Sequence, residues 1–291
     1  MAKTIKFNLI LDGYPVRNLT GLQEHFSIED ILKYYHSGLL LRWLKVRGYI
    51  KQYDAVNEID GGKEEREILS SLIKIFEIEE DDNVIEEGIT ILSYIDEQNK
   101  LNEIYKENGF EKNRIIEDYH KGYNRLVCHM EDNKENMAIL KADAIQMERA
   151  YSGLFRLDYK KLYFYLYETA PKAIFALLTR DLARNLWIAK DENDSVLKHI
   201  KNRLLDSSNV KAILGDDLKI VQRNTQAMWD QIERPEVKVM IISINNGTFV
   251  KNAGEFAEKL ADTDVNGKLL LLNGLEYQCN NANYELRYME V

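Results

Sequence analysis

Only three prolines, Pro15, Pro171 and Pro235, interrupt 291 residues. Proline lacks a backbone N–H and clashes with the preceding helical turn, so its scarcity leaves few obligatory helix breaks and makes long helices the natural expectation. The three positions are informative in turn. Pro15 follows Asp12-Gly13 and suits an edge strand, Pro171 follows Thr169-Ala170 and suits the first turn of a restarted helix, and Pro235 precedes the most hydrophobic run, Val237 to Ile244. That run is too short to span a bilayer as a helix, and no apolar leader follows Met1. A cytoplasmic chain without membrane insertion is expected. Two cysteines, Cys128 and Cys279, are too few for a disulfide framework or a cysteine-rich zinc site, and both are expected to be reduced.

The formal charge of −9 argues against a protein that coats nucleic acid or an anionic membrane. It is unevenly spread: residues 1–60 carry +1, 61–150 carry −10, 151–215 carry +4 and 216–291 carry −4. The densest acidic run comprises Glu77, Glu79, Glu80, Asp81, Asp82, Glu86 and Glu87. It reads as a solvated loop and first helical turn, where acids suit the positive end of the helix dipole, or as a docking face for a basic partner.

In the N-terminal region, Phe7, Leu9 and Leu11 alternate with Lys6, Asn8 and, less cleanly, Ile10 before Asp12-Gly13, a dipeptide that favours a type I′ hairpin because both turn residues must take positive φ. Ser27 has the character of an N-cap, with Asp30 at the third helical position and a Phe26–Ile31 pair placed as a hydrophobic staple. Gly38 should stop that helix, and a second from Leu39 to Arg47 should carry Leu40, Trp43, Leu44 and Arg47 on one flank until Gly48. The run Phe26…Asp30…Tyr34-Tyr35…Gly38…Trp43-Leu44…Gly48-Tyr49, preceded by Arg17-Asn18-Leu19, resembles a small N-terminal module that recurs ahead of unrelated domains in bacterial proteins. The resemblance covers about the first 60 residues and carries no catalytic residue. It implies a docking or adaptor unit joined to a variable remainder, in multi-gene bacterial systems such as stress or defence cassettes.

From Glu64 to about Leu214 the apolar residues recur with the helical period: Ile68, Leu72, Ile75 and Phe76; Ile85, Ile89, Leu92 and Ile95; Tyr119, Tyr123 and Leu126; Met137, Leu140, Ala144 and Met147. Asn108-Gly109 reads as a helix stop. Leu162 to Tyr167 is dense in aromatics, which suits a strand, but its neighbours favour a helix capped by Asp158. Ile174 to Trp187 is apolar on most sides and reads as the central buried helix. After Gly215 the pattern changes to strands at Leu218–Val221, Val237–Ile244, Leu269–Leu272 and Tyr284–Met289, with a helix at Ala253–Leu260 carrying Phe256 and a loop at Asn280–Asn283 joining the last two strands. The fold class is α+β: residues 1–60 a hairpin and helices, 61–215 a helical body, and 216–291 a small antiparallel sheet with helices.

Motifs that carry chemistry are sparse in the chain. His25, His36, His120, His129 and His199 form no metal-binding spacing, and Cys128-His129 are adjacent, so on a helix their side chains point about 100° apart. The segment from Asn246 to Gly254 places a turn where a helix start would offer N–H groups to an anion, but lacks the ending of a P-loop. The interaction or phosphate contacts that stand out are Arg180, Arg184, Lys198, Lys201 and Arg203, which also read as solvated flanks or as internal partners of the acidic segment. No catalytic residue, cofactor or metal is assigned. The expectation is a non-catalytic adaptor or regulatory subunit whose partner proteins are encoded by neighbouring genes. The alternative is an enzyme directed at nucleic acid or nucleotide through the basic 172–203 region.

Overall fold

The computed structural model describes residues 7–63, 65–78, 82–107, 112–188, 191, 193–224, 229–231, 237–254, 258–279 and 283–291. The chain divides into two compact units, Met1–Phe110 and Glu111–Val291. Its class is α+β.

The first unit begins with the hairpin β1 (Leu9–Leu11) and β2 (Tyr14–Val16), closed by Asp12 at φ 49° and Gly13 at φ 78°. Leu9, Leu11 and Val16 are buried, while Ile10 lies opposite Pro15. The two-residue turn makes Leu11 and Tyr14 the hydrogen-bonded pair and leaves Ile10 and Pro15 a non-hydrogen-bonded one, so the Ile10 N–H points out of the ladder and donates to the Tyr34 hydroxyl at 3.1 Å. Asp12 N–H likewise donates to Asp30 Oδ2 at 2.9 Å. Both acceptors lie on α2 (Ile28–His36), which Ser27 caps by accepting from Asp30 N–H. Before it comes α1 (Leu19–Glu24), capped by Asn18.

Gly38 and Gly48, at φ 70° and 83°, bound α3 (Leu39–Arg47), in the left-handed region that glycine adopts without Cβ strain. Leu40, Trp43 and Leu44 of α3 are fully buried, and Arg47 donates to Phe7 O and Asn8 Oδ1. After α4 (Ile50–Asn57), helix α5 (Glu65–Phe76) adds Ile68, Leu69, Leu72 and Phe76 to the same core. The long α6 (Asp82–Glu107) packs Ile85, Ile89 and Leu92 against it without fully burying any residue. Of the acidic run, Glu79, Glu80 and Asp81 lie outside the described residues, as does the stop expected at Asn108-Gly109.

The second unit contains α7 (Lys112–Asp132), α8 (Met137–Ala150), α9 (Ser152–Thr169), α10 (Pro171–Leu178), α11 (Asp181–Trp187), α12 (Ser195–His199), a π-helical turn over Ile200–Leu204, and α13 (Ser207–Leu214). Leu162–Tyr167 is helical as expected. Asp158, however, is no cap: α9 starts at Ser152, because Phe155 extends the buried stripe upstream. Pro171 opens α10, whose residues from Lys172 to Leu178 are all buried. The apolar run to Trp187 is two helices rather than one, broken at Thr179-Arg180, where the Thr179 hydroxyl donates to Ala176 O at 2.7 Å.

Beyond α13 the chain forms β3 (Lys219–Asn224), β4 (Trp229–Gln231), β5 (Lys238–Ile244), β6 (Thr248–Lys251), β7 (Leu260–Ala261), α14 (Asp262–Val265), β8 (Leu271–Asn273), β9 (Glu276–Cys279) and β10 (Asn283–Glu290). Two four-stranded antiparallel sheets result among the described residues, ordered β3-β10-β5-β8 and β4-β9-β6-β7. Several expectations are corrected here. The helix read at Ala253–Leu260 is absent from the described part: Ala253 and Gly254 form a turn and Leu260 begins β7, while Phe256 lies outside the described residues. Strands β8 and β10 do not pair with each other, since β5 lies between them and binds both. The loop at Asn280–Asn283 also falls mostly outside the described residues, with Asn283 opening β10. Short strands such as β6 and β9 have too few alternations to stand out from turn residues in the sequence.

Candidate functional site

The basic residues singled out from the sequence lie in the second unit and divide into two groups. Arg180 precedes α11 and is gripped by Glu148 of α8, with Nε to Oε2 at 2.8 Å and Nη2 to Oε2 at 2.7 Å. The other oxygen of Glu148 accepts Leu182 N–H at 3.0 Å, so one carboxylate pairs with the arginine and satisfies an orphan donor at the start of α11. Arg184 is desolvated, and burial pulls its guanidinium below the ordinary arginine value. It donates to the carbonyls of Leu178 and Leu269, tying the end of α10 to the loop before β8. Neither arginine is presented to a ligand. Lys172, within the same basic stretch, is buried and pairs with Asp217 at 2.9 Å.

Lys198, Lys201 and Arg203 have the opposite surroundings. They are exposed on α12 and the π turn, and Lys198 reaches Asn193 Oδ1 at 3.2 Å. The stem of Lys201 lies beside Gly267. Between these cations stands His199, at the junction where α-helix becomes π-helix, a departure that often accompanies function. Its Nδ1 is 3.0 Å from the hydroxyl of Tyr163 on α9. Tyr163 is fully buried, and burial raises its hydroxyl pKa, so the phenol stays protonated and pairs with Nδ1 of the imidazole. Burial first, and the charge of Arg203 second, push the His199 pKa below its ordinary value, while Glu168 opposes them. Tyr167 and Phe164 complete the surround, with ring centroids 4.4 and 5.4 Å from the imidazole at 86° and 77°. One turn upstream Lys160 pairs at 2.7 Å with Asp194, the cap of α12, aligning the two helices.

A second histidine, set aside in the sequence for want of a partner, has one in space. Both oxygens of Asp143 on α8 lie at 3.0 and 2.9 Å from Nδ1 of His129 on α7. Asp143 is fully buried. Its hydrogen bond raises the His129 pKa against the lowering effect of burial. An aspartate set between Ala142 and Ala144 on the apolar stripe of α8 was the legible signal, since a buried carboxylate requires a partner. Its distance in sequence from His129 hid which one.

At the turn from Asn246 to Gly254, the anion is the chain's own. Thr248–Lys251 is a strand and not a helix entry, and Glu276 both pairs with Lys251 at 2.7 Å and accepts Gly254 N–H at 3.1 Å. These two contacts hold the Glu276 carboxyl below its usual range. Among the described residues no group of three metal-capable side chains occurs, and no helix is long and apolar enough to cross a membrane. Comparison of the chain with protein-family models, with curated proteins and with solved structures finds no match.

Proposed function

We propose that this chain is a non-catalytic adaptor or regulatory subunit of a bacterial multi-protein assembly of the stress or phage-defence type, with the first unit as its docking element. The observation that carries this reading is the exposed apolar surface of the β1–β2 hairpin. Ile10, 45% exposed, and its cross-strand partner Pro15 form the outward face, while Tyr14, opposite the buried Leu11 and so on the other face, is 53% exposed at the hairpin's end and stacks on His25 with centroids 4.3 Å apart. Exposed apolar side chains on a rigid support are a usual mark of protein contact. The support is rigid because Tyr34, Asp30 and Arg47 bind the β1 strand and the residues on either side of it. Pro15 removes one donor from the outer edge of β2, so the side-chain face is the better docking surface than strand addition. The resemblance of residues 1–60 to a recurring bacterial module points the same way.

The test places a photo-reactive phenylalanine analogue at position 10 in the native host. The expected result is one discrete protein adduct that disappears in a Pro15→Ser background while circular dichroism of the purified variant stays unchanged. A solitary monomer in host extract, with no adduct, overturns the reading.

A further inference from the structure

We propose that the exposed surface shared by α9 and the α12–π segment binds single-stranded nucleic acid, with a base stacked on Phe164 and phosphates held by Lys161, Lys198 and Arg203. This surface lies wholly within the second unit and does not depend on the docking role given to the hairpin.

Three observations converge on it. The first concerns the cations: Lys161, Lys198 and Arg203 are exposed and form no ion pair with a carboxylate among the described residues, whereas Lys160, Lys172 and Arg180 of the same region are each paired. Cations left unpaired at a surface retain their charge for phosphate, and each phosphate contact releases a condensed counterion. The second is the ring at the centre. Phe164 is 39% exposed, one helical turn after Lys161, and its inner side rests on Tyr163 and His199 at centroid distances of 5.2 and 5.4 Å. A partly exposed ring steadied by two near-perpendicular ring contacts can serve as a stacking platform for any base. The third is His199, whose Nδ1 is taken by Tyr163 and whose Nε2 carries no hydrogen bond among the described residues. An imidazole nitrogen left open beside Arg203 suits a base edge and, when it carries the proton, a phosphate oxygen.

An acidic peptide is the competing occupant, and the geometry disfavours it. Both walls are helices whose main-chain groups bond internally, so an extended peptide finds no ladder to join. Among the described residues Tyr163, Tyr167 and His199 pack into the seam between α9 and α12, where an amphipathic helix would have to seat its apolar face. Stacking plus phosphate contacts needs neither feature. Glu168, one turn after Phe164, is exposed and of the wrong sign, and it limits the expected strength.

The experiment measures fluorescence anisotropy of a labelled twelve-residue oligothymidylate with the full chain from 50 to 200 mM salt. Three phosphate contacts on a single strand give a log–log salt slope of about −2, or about a fifteen-fold loss over that range. Lys198→Ala with Arg203→Ala should bring the slope to about −0.7. Phe164→Leu, which keeps apolar bulk and removes the ring, should weaken binding about ten-fold. Glu168→Gln should strengthen it, and Ile10→Ser with Tyr14→Ser should leave it unchanged. Unaltered circular dichroism would confirm that each variant folds. The proposal is overturned by no binding at 50 mM salt, by a slope that ignores Lys198 and Arg203, by an affinity that ignores Phe164, or by polyglutamate competing as well as the oligonucleotide.

Discussion

The stretch from Lys172 to Arg203 has a net positive charge in the sequence, with seven basic and four acidic residues, yet its two halves behave differently in the fold. In the first half Lys172, Arg180 and Arg184 are spent on Asp217, on Glu148 and on two main-chain carbonyls. In the second, Lys198, Lys201 and Arg203 stand at the surface beside a neutral histidine. Charge patterning alone does not separate a structural cation from a functional one. What separates them is whether the helix bearing the cation is packed on one side or on all: α10 is buried throughout and α11 packs Trp187 against α9, whereas α12 and its π turn bury Val196, Leu197, Ile200 and Leu204 and leave the other flank open.

Substitutions can break or sharpen this contrast. The largest effects belong to the interior. Arg184→Ala removes the donors of two carbonyls and the packing of the arginine stem, and should lower stability by about 3 kcal/mol in chemical denaturation. His129→Ala takes the imidazole from the buried Asp143 and should cost about 3 kcal/mol, while adding Asp143→Ala should recover part of that loss, because the double variant no longer buries a carboxylate that has lost this partner. An additive double variant would count against the pairing. Arg180→Ala should cost about 1 kcal/mol, since the pair with Glu148 is partly exposed and Glu148 keeps its bond to Leu182 N–H. Lys198→Ala and Arg203→Ala should each stay within about 0.5 kcal/mol of the parent. If either destabilised the fold as much as Arg184→Ala, the division into structural and surface cations would fail.

The two histidines extend the contrast to pH. His129 has a folded pKa above the ordinary 6.5, so its stabilisation is complete below that value and is lost as pH rises from 6.5 through the folded pKa. His199 has a folded pKa below 6.5, so the unfolded chain takes up protons first and stability falls as pH drops from 6.5 toward the folded value. Thermal melts across this window should therefore show a decline on each side. The alkaline limb should be reduced by His129→Gln and the acid limb by His199→Phe, which preserves the ring packing. These are the smallest effects of the set, because both imidazoles are only partly buried.

How far each element was legible follows from whether its signal is local. The Asp12-Gly13 turn, the Ser27 cap, the two glycines around Leu39–Arg47 and the proline at the head of α10 all act through dihedral preferences or hydrogen bonds spanning a few residues, and all lie where the sequence indicates. The helix read over Ala253–Leu260 misled because Phe256 and Leu260 satisfy a helical spacing, while the described residues of that segment form a turn and the start of a short strand. In the candidate site, the basic residues were visible as letters, but their roles were not. Tyr163 and His199 are 36 positions apart, and His129 and Asp143 are 14 apart on different helices.

The sequence by itself determined the α+β class, the helix-rich body, the hairpin and its proline edge, and the charge separation along the chain, because periodicity, caps and turn residues work over short range. Only the tertiary structure decided that α5 completes the core begun by the hairpin, that β5 separates β8 from β10, and that Glu276 occupies the place of an anion. It also decided which cations are silent and which face outward. Those outcomes depend on long-range packing, where desolvation decides whether a charge must find an internal partner or can remain at the surface.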